Sequence, residues 1–276
     1  MKNITAIASL IFFSSTGLLA QEIGLQLYSV RGHFEKDAAR TCQMVAEWGI
    51  QIVEEGLHYG HTVAELNEMY EDNGLKLVSA SADYGDLKNR PEDVAARAKA
   101  LGVKYVVCFW IPHNGNEFTV ENVDAAIDVF ENAGKVMESH GLTLCYHPHG
   151  YEFRPFEGTT LMDYMISRSK HFDFEIDVFW VKHSGAEPLA LMRKYPDRFP
   201  LMHAKDRAHG TIGNTNGKAD VDCNVVLGEG DVGIEELFRE AQKMGMDYIF
   251  IEDESSRSTT QIPKSLAYLK NLQKSK

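Results

Sequence analysis

Two imidazoles and a carboxylate crowd the segment Leu144-Cys145-Tyr146-His147-Pro148-His149-Gly150-Tyr151-Glu152-Phe153. An apolar run leads into them, and a proline and a glycine then stop it. In an extended strand, residues two apart share a face, so Cys145, His147 and His149 lie together while Leu144 and Tyr146 point the other way. Such an ending suits metal binding or acid/base work; the plain alternative is a surface turn that carries two histidines. Similar endings recur downstream, in Glu175-Ile176-Asp177-Val178-Phe179-Trp180, Leu201-Met202-His203-Ala204-Lys205-Asp206 and Tyr248-Ile249-Phe250-Ile251-Glu252-Asp253-Glu254. Singly, Asp177, His203 or Glu252 would pass for a solvated loop charge. Repeated at the same end of successive strands, they form a set. With Glu152 they give three carboxylates and one imidazole, an oxygen-rich group suited to Mn²⁺, Mg²⁺ or Co²⁺ and acceptable to Zn²⁺. It contains no thiolate, which argues against a structural zinc site.

The elements that must position these residues follow one rhythm. Strands are predicted at 22–28, 51–54, 75–79, 103–109, 142–147, 172–177, 200–204 and 248–252. Helical patterns fill the intervals at 35–48, 62–72, 91–101, 120–139, 160–169, from about Pro188, 234–244 and 262–272. Gly49, Gly74, Gly102, Gly141 and Gly245 fall just past helices, where a left-handed cap favours glycine. Eight βα units in about 250 residues predict a closed (β/α)8 TIM barrel. The alternative, a doubly wound open sheet, is weakened because no GxGxxG follows the first strand.

Barrel enzymes work at the C-terminal ends of their strands. Further contacts to a substrate are therefore expected from Gln26 and Tyr28, from Glu54 and its neighbour Glu55, and from Trp110, Trp180, His183 and Lys205. For the tryptophans a packed rim is the competing reading, and for Lys205 an ion pair with Asp206 or Glu252. The polar stretch Ala208–Cys223 is the longest irregular segment and is expected to be a lid.

The chain has 276 residues, 44% of them hydrophobic and 25% charged, enough for one large core. Residues 1–20 read as an export signal: Met1-Lys2-Asn3, an apolar run to Leu19, and Ala20 before a cut at Gln21. Residues 21–276 are then a single catalytic barrel domain, periplasmic or secreted, with no membrane span once the signal is removed. Lys2 is the only charge in the signal, so 27 of the 28 basic residues remain against 40 acidic ones, a net of −13. Such a surface repels nucleic acid. Cys42, Cys108, Cys145 and Cys223 are widely spaced, and Cys108 and Cys145 sit in apolar runs that predict buried free thiols.

The YHxHxxEF-type fifth strand, Glu175-Ile176-Asp177 with Trp180, His203-Ala204-Lys205-Asp206, Leu227-Gly228-Glu229-Gly230-Asp231-Val232 and the Ile251-Glu252 ending together resemble the sugar (phosphate) isomerase/epimerase family with the xylose isomerase-like TIM barrel. The likeness covers nearly the whole chain after residue 20 and extends to inosose dehydratase and tagatose epimerase-type enzymes. It implies Glu152, Asp177, His203 and Glu252 as ligands of a divalent ion, Mn²⁺ foremost. Epimerases of the family hold a glutamate inside the fifth strand, about where this chain has Tyr146. The ligand from this strand is then Glu152, His147 or His149. Many relatives also carry a histidine on the third strand, where this chain has Ser81.

A divalent ion beside carboxylates would polarise a sugar ketone and stabilise an enediolate, while a side chain removes the α-proton. Glu152 and Glu252 are the expected acid/base residues, with His147 or His149 as alternatives. Returning the proton gives an isomer or an epimer; expelling a substituent instead makes the chain a lyase that cleaves 3-keto-glycosides. An exported acidic protein is expected to take a neutral sugar or keto-glycoside. Two readings of other kinds are a non-catalytic periplasmic sugar-binding protein and an endonuclease-like relative, the latter opposed by the charge. A homo-oligomer is compatible with the sequence.

Overall fold

The computed structural model describes residues 22–275; the expected export signal lies outside them. Eight parallel strands close a barrel: β1 (Glu22–Gln26), β2 (Ile52–Glu54), β3 (Lys76–Ser81), β4 (Tyr105–Cys108), β5 (Thr143–Tyr146), β6 (Asp173–Asp177), β7 (Leu201–Ala204) and β8 (Tyr248–Ile251). Each strand pairs with its predecessor in sequence, and β8 closes onto β1. Parallel neighbours need long crossovers. Helices supply them: α1 (Ala38–Glu47), α2 (Val63–Asp72), α3 (Pro91–Leu101), α4 (Val120–Ser139), α5 (Leu161–Arg168), α6 (Pro188–Lys194), α7 (Ile234–Met244) and α8 (Ser258–Lys274). The closed (β/α)8 barrel expected from the sequence is the fold observed.

Local signals explain the boundaries. Asp37 caps α1 through the Arg40 amide at 2.9 Å, and Thr62 and Glu65 form a reciprocal capping box on α2. Pro91 opens α3, where its missing N–H is not needed. The five cap glycines all have φ between 65° and 82°. Several boundaries shift by one to four residues, two of them for a visible reason. The first strand stops at Gln26, whose side-chain oxygen accepts from the Tyr28 amide at 2.8 Å and turns Leu27–Val30 into a 3-10 helix. The last helix begins one turn early, at Ser258, because Gln261 is held by Asp253, Ser255 and the Asn224 carbonyl.

The barrel interior has two levels. Its lower part is plugged by Val78, Tyr105, Val107, Cys145, Leu201 and Phe250. Gly24 makes room for the last of these: a Cβ there would lie 2.8 Å from the Phe250 ring. Above the plug the inward residues turn polar, with Gln26, Glu54, His147, Glu175, Asp177 and His203 all buried. A register shift between Val53 and Glu54 falls at this level, an irregularity typical of strands beside a working site. Between strands and helices lies the larger apolar core. All four cysteines are free; Cys42, Cys108 and Cys145 are buried and Cys223 is half-buried. Among the described residues no helix is long and apolar enough to cross a membrane.

Asp206, at the end of the His203-Ala204-Lys205-Asp206 motif, has a structural task. Its carboxylate accepts from the amides of Arg207 (2.8 Å), Gly228 (2.8 Å), Gly230 (3.0 Å) and Val232 (3.2 Å), so it anchors the loop at 227–232. A Cβ on Gly230 would meet Asp206 Oδ1 at 2.2 Å, which explains the glycine. Asp206→Ala leaves several amides without their acceptor. It is expected to cost about 3 kcal/mol, measured as the shift in urea midpoint at constant m-value.

Candidate functional site

The polar level of the barrel is a connected network centred on His203. Its Nδ1 lies 2.9 Å from Glu252 Oε2, and its Nε2 lies 2.6 Å from Glu54 Oε1 and 3.2 Å from Glu175 Oε2. Glu175 Oε2 is also 3.0 Å from His147 Nδ1, and His147 Nε2 is 3.6 Å from Asp177 Oδ2. Lys205 Nζ sits 2.6 Å from Glu254 Oε1 and 3.4 Å from Glu252 Oε1. The strands dictate this convergence. Glu175 and Asp177 are two apart on β6 and both face inward, while Phe174 and Ile176 join the outer core. Asp177 pairs in register with His203, as Gln26 does with Glu54.

Burial sets the charges. It drives the Glu175 carboxyl well above the ordinary range, helped by the negative charge of Glu54, and it raises Asp177 to about 7. Burial also keeps His147 neutral, by lowering its pKa far below the ordinary value, and takes His149 down to about 4. For His203 burial acts in the same direction, but the carboxylates of Glu175, Glu54 and Glu252 outweigh it and hold the imidazolium. For Glu252 burial is overcome by Lys205 and His203, which push it below the usual carboxylate range.

A cavity of about 460 Å³ opens above this network. His147, His203 and Glu252 form its floor, and Gln26, Tyr28, Glu55, Ser81, Asp83, Phe109, Trp110, His149, Trp180 and Glu254 are among its walls. Of the contacts expected from sequence, Gln26, Tyr28, Trp110 and Trp180 therefore face the cavity. Ser81, on the third strand, lines the cavity and donates through its amide and hydroxyl to Glu55, which Arg97 also pairs.

Several expectations are corrected. Glu152 does not join the network: its carboxylate takes the Tyr146 hydroxyl and the His149 amide at 3.1 and 3.2 Å, buried on the outer side of β5. The cause is Gly150, whose φ of 98° folds the chain back after His149. Burial raises Glu152 to about 7. Glu54 and Lys205 lie beneath the cavity wall rather than along it, held by His203 and by Glu252 and Glu254. His183 packs flat on Phe179, with Nε2 3.0 Å from Asn214 Nδ2, away from the cavity. The segment at 208–223 braces this side: Gly213 passes so close to the His183 carbonyl that a Cβ would lie 2.0 Å from it. The segment adds nothing to the lining of this cavity. Missed by sequence reading were Glu175 and Glu254. The first was legible as the inward residue two before Asp177; for the second, a position after the strand end, no periodicity applies.

The profile of the xylose isomerase-like TIM barrel family matches residues 42–272. The chain belongs to that family. No curated protein sequence matches it. Among solved structures it is similar to a sugar phosphate isomerase/epimerase from Parabacteroides distasonis, 24% identical over 90% of this chain and 97% of that one, with a TM-score of 0.74. It is also similar to the probable 3-DHS dehydratase AsbF from Bacillus anthracis, 14% identical over 91% and 99%, TM-score 0.66. An IolI protein that binds a zinc atom is 13% identical over 91% and 96%, TM-score 0.67. At these identities the likeness is one of fold.

The network fits a cation. One donor atom each from His147, Asp177 and His203 lies within 4.8 Å of the others, and Glu54, Glu175 and His203 form a second such group. Asp177 Oδ2, Glu175 Oε1 and Glu54 Oε2 are buried with no hydrogen-bond partner, which is expensive unless something positive meets them. Asp177 gives the test. Its carboxyl, at about 7 against an ordinary 3.8, ionises at a cost that is full above pH 7 and absent below pH 4. Asp177→Asn should therefore stabilise the metal-free protein by up to about 4 kcal/mol at pH 8 and by little at pH 4. Urea denaturation in EDTA at the two pH values measures this. The same substitution should weaken binding of a divalent ion.

Proposed function

We propose that the chain is a divalent-metal-dependent isomerase or epimerase that abstracts the proton α to the carbonyl of a neutral sugar or keto-glycoside. The observation that carries this reading is the buried meeting of His147, Asp177, His203 and Glu252 at the floor of a substrate-sized cavity. These four residues would hold the ion. Mn²⁺ or Co²⁺ suits two imidazoles and two carboxylates better than Mg²⁺ does, and Zn²⁺ fits as well. When bound, the ion supplies Lewis-acid polarisation of the substrate carbonyl and the adjoining hydroxyl.

The rest is the work of this chain's own residues. His149 faces the cavity, remains neutral above about pH 4 and has a buried Nδ1 without a partner. It is the group we assign to proton transfer, in place of Glu152. Trp180 lies beside it, with ring centroids 5.6 Å apart, and offers an aromatic face to a sugar ring. Gln26, Glu55 and Glu254 present hydrogen-bonding groups for hydroxyls. Lys205, ion-paired to both Glu252 and Glu254, offsets the carboxylates at the rim.

Neutral substrates follow from the lining. Glu55, Asp83, Glu252 and Glu254 border the cavity, and among the described residues no lysine or arginine does. A phosphate would meet like charge there. The apolar mouth, with Trp110 and Leu57 half-exposed, favours a second reading in which a glycoside is the substrate and the same enolate expels its substituent. Export, inferred from residues 1–20, agrees with a substrate that carries no phosphate.

The test is solvent-deuterium exchange into free keto-sugars, 3-keto-glycosides and ketose phosphates, with Mn²⁺ and with EDTA. Exchange is expected for the first two classes, only with metal. Turnover confined to phosphates would sink the substrate reading, and metal-independent exchange the mechanism. His149→Ala should lower kcat at least about 100-fold with metal affinity, measured by calorimetry, close to wild type.

A further inference from the structure

One residue of the network does no chemistry in this scheme, yet touches both histidines of the site. Glu175 Oε2 is 3.0 Å from His147 Nδ1 and 3.2 Å from His203 Nε2, with all three side chains at most 2% exposed. The opposite ring nitrogens face the other carboxylates: His147 Nε2 towards Asp177 at 3.6 Å, and His203 Nδ1 towards Glu252 at 2.9 Å. A neutral imidazole has one N–H and one lone pair, and the hydrogen bond made by one nitrogen decides which is which.

We propose that Glu175 is the positioning residue of this site: a single carboxyl oxygen that accepts N–H bonds from two imidazoles. The lone pair of neutral His147 Nε2 then faces Asp177, and His203 Nδ1 faces Glu252, where it could offer its own lone pair once a bound ion displaced the imidazolium proton. The donor contributed by the fifth strand is then His147, and the set holds two nitrogens and two carboxylates instead of one nitrogen and three carboxylates. Glu54 supports half of the arrangement through His203 Nε2 at 2.6 Å and is itself held by Gln26 at 2.7 Å. Of these two glutamates, Glu175 is the one whose oxygen lies within 3.2 Å of both rings. Its position on β6 agrees with this: it lies one inward step below Asp177, and its oxygen meets the ring nitrogens opposite those that face Asp177 and Glu252.

This inference rests on the proposed metal site, and two measurements separate its failure from the failure of that site. The first is the tautomer of His147 in the metal-free wild-type protein, read from imidazole ¹⁵N shifts and long-range ¹H–¹⁵N correlations. Protonation at Nδ1 is expected; protonation at Nε2 overturns the proposal. The second is Co²⁺ affinity by calorimetry, with the visible absorption of Co²⁺ as a readout of ligation. Glu175→Leu should bind Co²⁺ about 10- to 100-fold more weakly with an altered spectrum. Glu175→Gln, whose amide oxygen can still accept, should lose less. Wild-type affinity in Glu175→Leu overturns the proposal, because a side chain that only fills space would change stability and leave affinity and spectrum alone. Should Glu175→Leu fail to fold, the His147 tautomer and Glu175→Gln decide. A wild-type protein that binds no Co²⁺ would refute the metal-dependent function, and the His147 tautomer would still judge the role of Glu175.

Discussion

Like charge is packed into the closed end of the barrel more densely than the neighbouring cations can neutralise. Glu54, Glu175, Asp177 and Glu252 are all at most 8% exposed, against the imidazolium of His203 and the ammonium of Lys205. Unit charges 4 Å apart interact by about 4 kcal/mol at an effective dielectric of 20, more than a typical hydrogen bond contributes. The network therefore cannot be neutral bystander chemistry. It relieves the crowding by keeping protons on the groups that burial penalises most, Glu175 and Asp177, and by leaving Glu252 ionised beside Lys205 and His203. A fold selected for stability alone would fill this space with the residues found one level lower, the Val78, Tyr105, Val107, Cys145, Leu201 and Phe250 plug.

That plug is what makes the crowding tolerable. It gives the barrel a rigid apolar base, so the side chains above it are fixed by strand register and not by loops. Register-paired positions such as Asp177 with His203, or Gln26 with Glu54, share a face because neighbouring parallel strands are held by backbone hydrogen bonds. The loops then add second supports from outside the interior. Asp206 gathers four loop amides, Arg97 clamps Glu55 at the cavity wall, and Asn214 secures His183 behind Trp180. Anchors of this kind fix the loops and the wall around the cavity.

What the sequence made legible follows from the same geometry. The barrel could be read because strand and helix periods alternate eight times and glycine marks the helix ends. Asp177, His203 and Glu252 could be read because they end apolar runs, and the structure brings them close around one floor. Errors arose wherever side-chain direction depended on something other than strand period. Glu152 follows a left-handed glycine, so its face cannot be counted from β5; it turns to Tyr146, on the side of the strand opposite His147. His183 lies in a short helix after β6, where Phe179 and Asn214 fix its orientation. The 208–223 segment has the polarity of a lid, but composition carries no direction, and its close passage by His183 places it at the flank. Glu175 was overlooked for a different reason: it shares the inward face of β6 with Asp177, but lies inside the strand rather than at its end, where working residues are looked for.

The solved structures similar to this chain include one called a sugar phosphate isomerase/epimerase, and the fold is the same, yet fold alone does not carry a substrate. The cavity argues on its own terms. A phosphate entering it would come within reach of Glu55, Asp83, Glu252 and Glu254 with no lysine or arginine on the described walls to meet it. Lys205, buried behind the rim, is already committed to Glu252 and Glu254. In the proposed reading a bound cation would polarise a carbonyl and its neighbouring hydroxyl, while the carboxylates of the lining would give a phosphate dianion less support than a basic rim would. Aromatic faces at Trp180, Phe109 and Trp110 line the same cavity and would suit the apolar side of a sugar ring in the proposed reading.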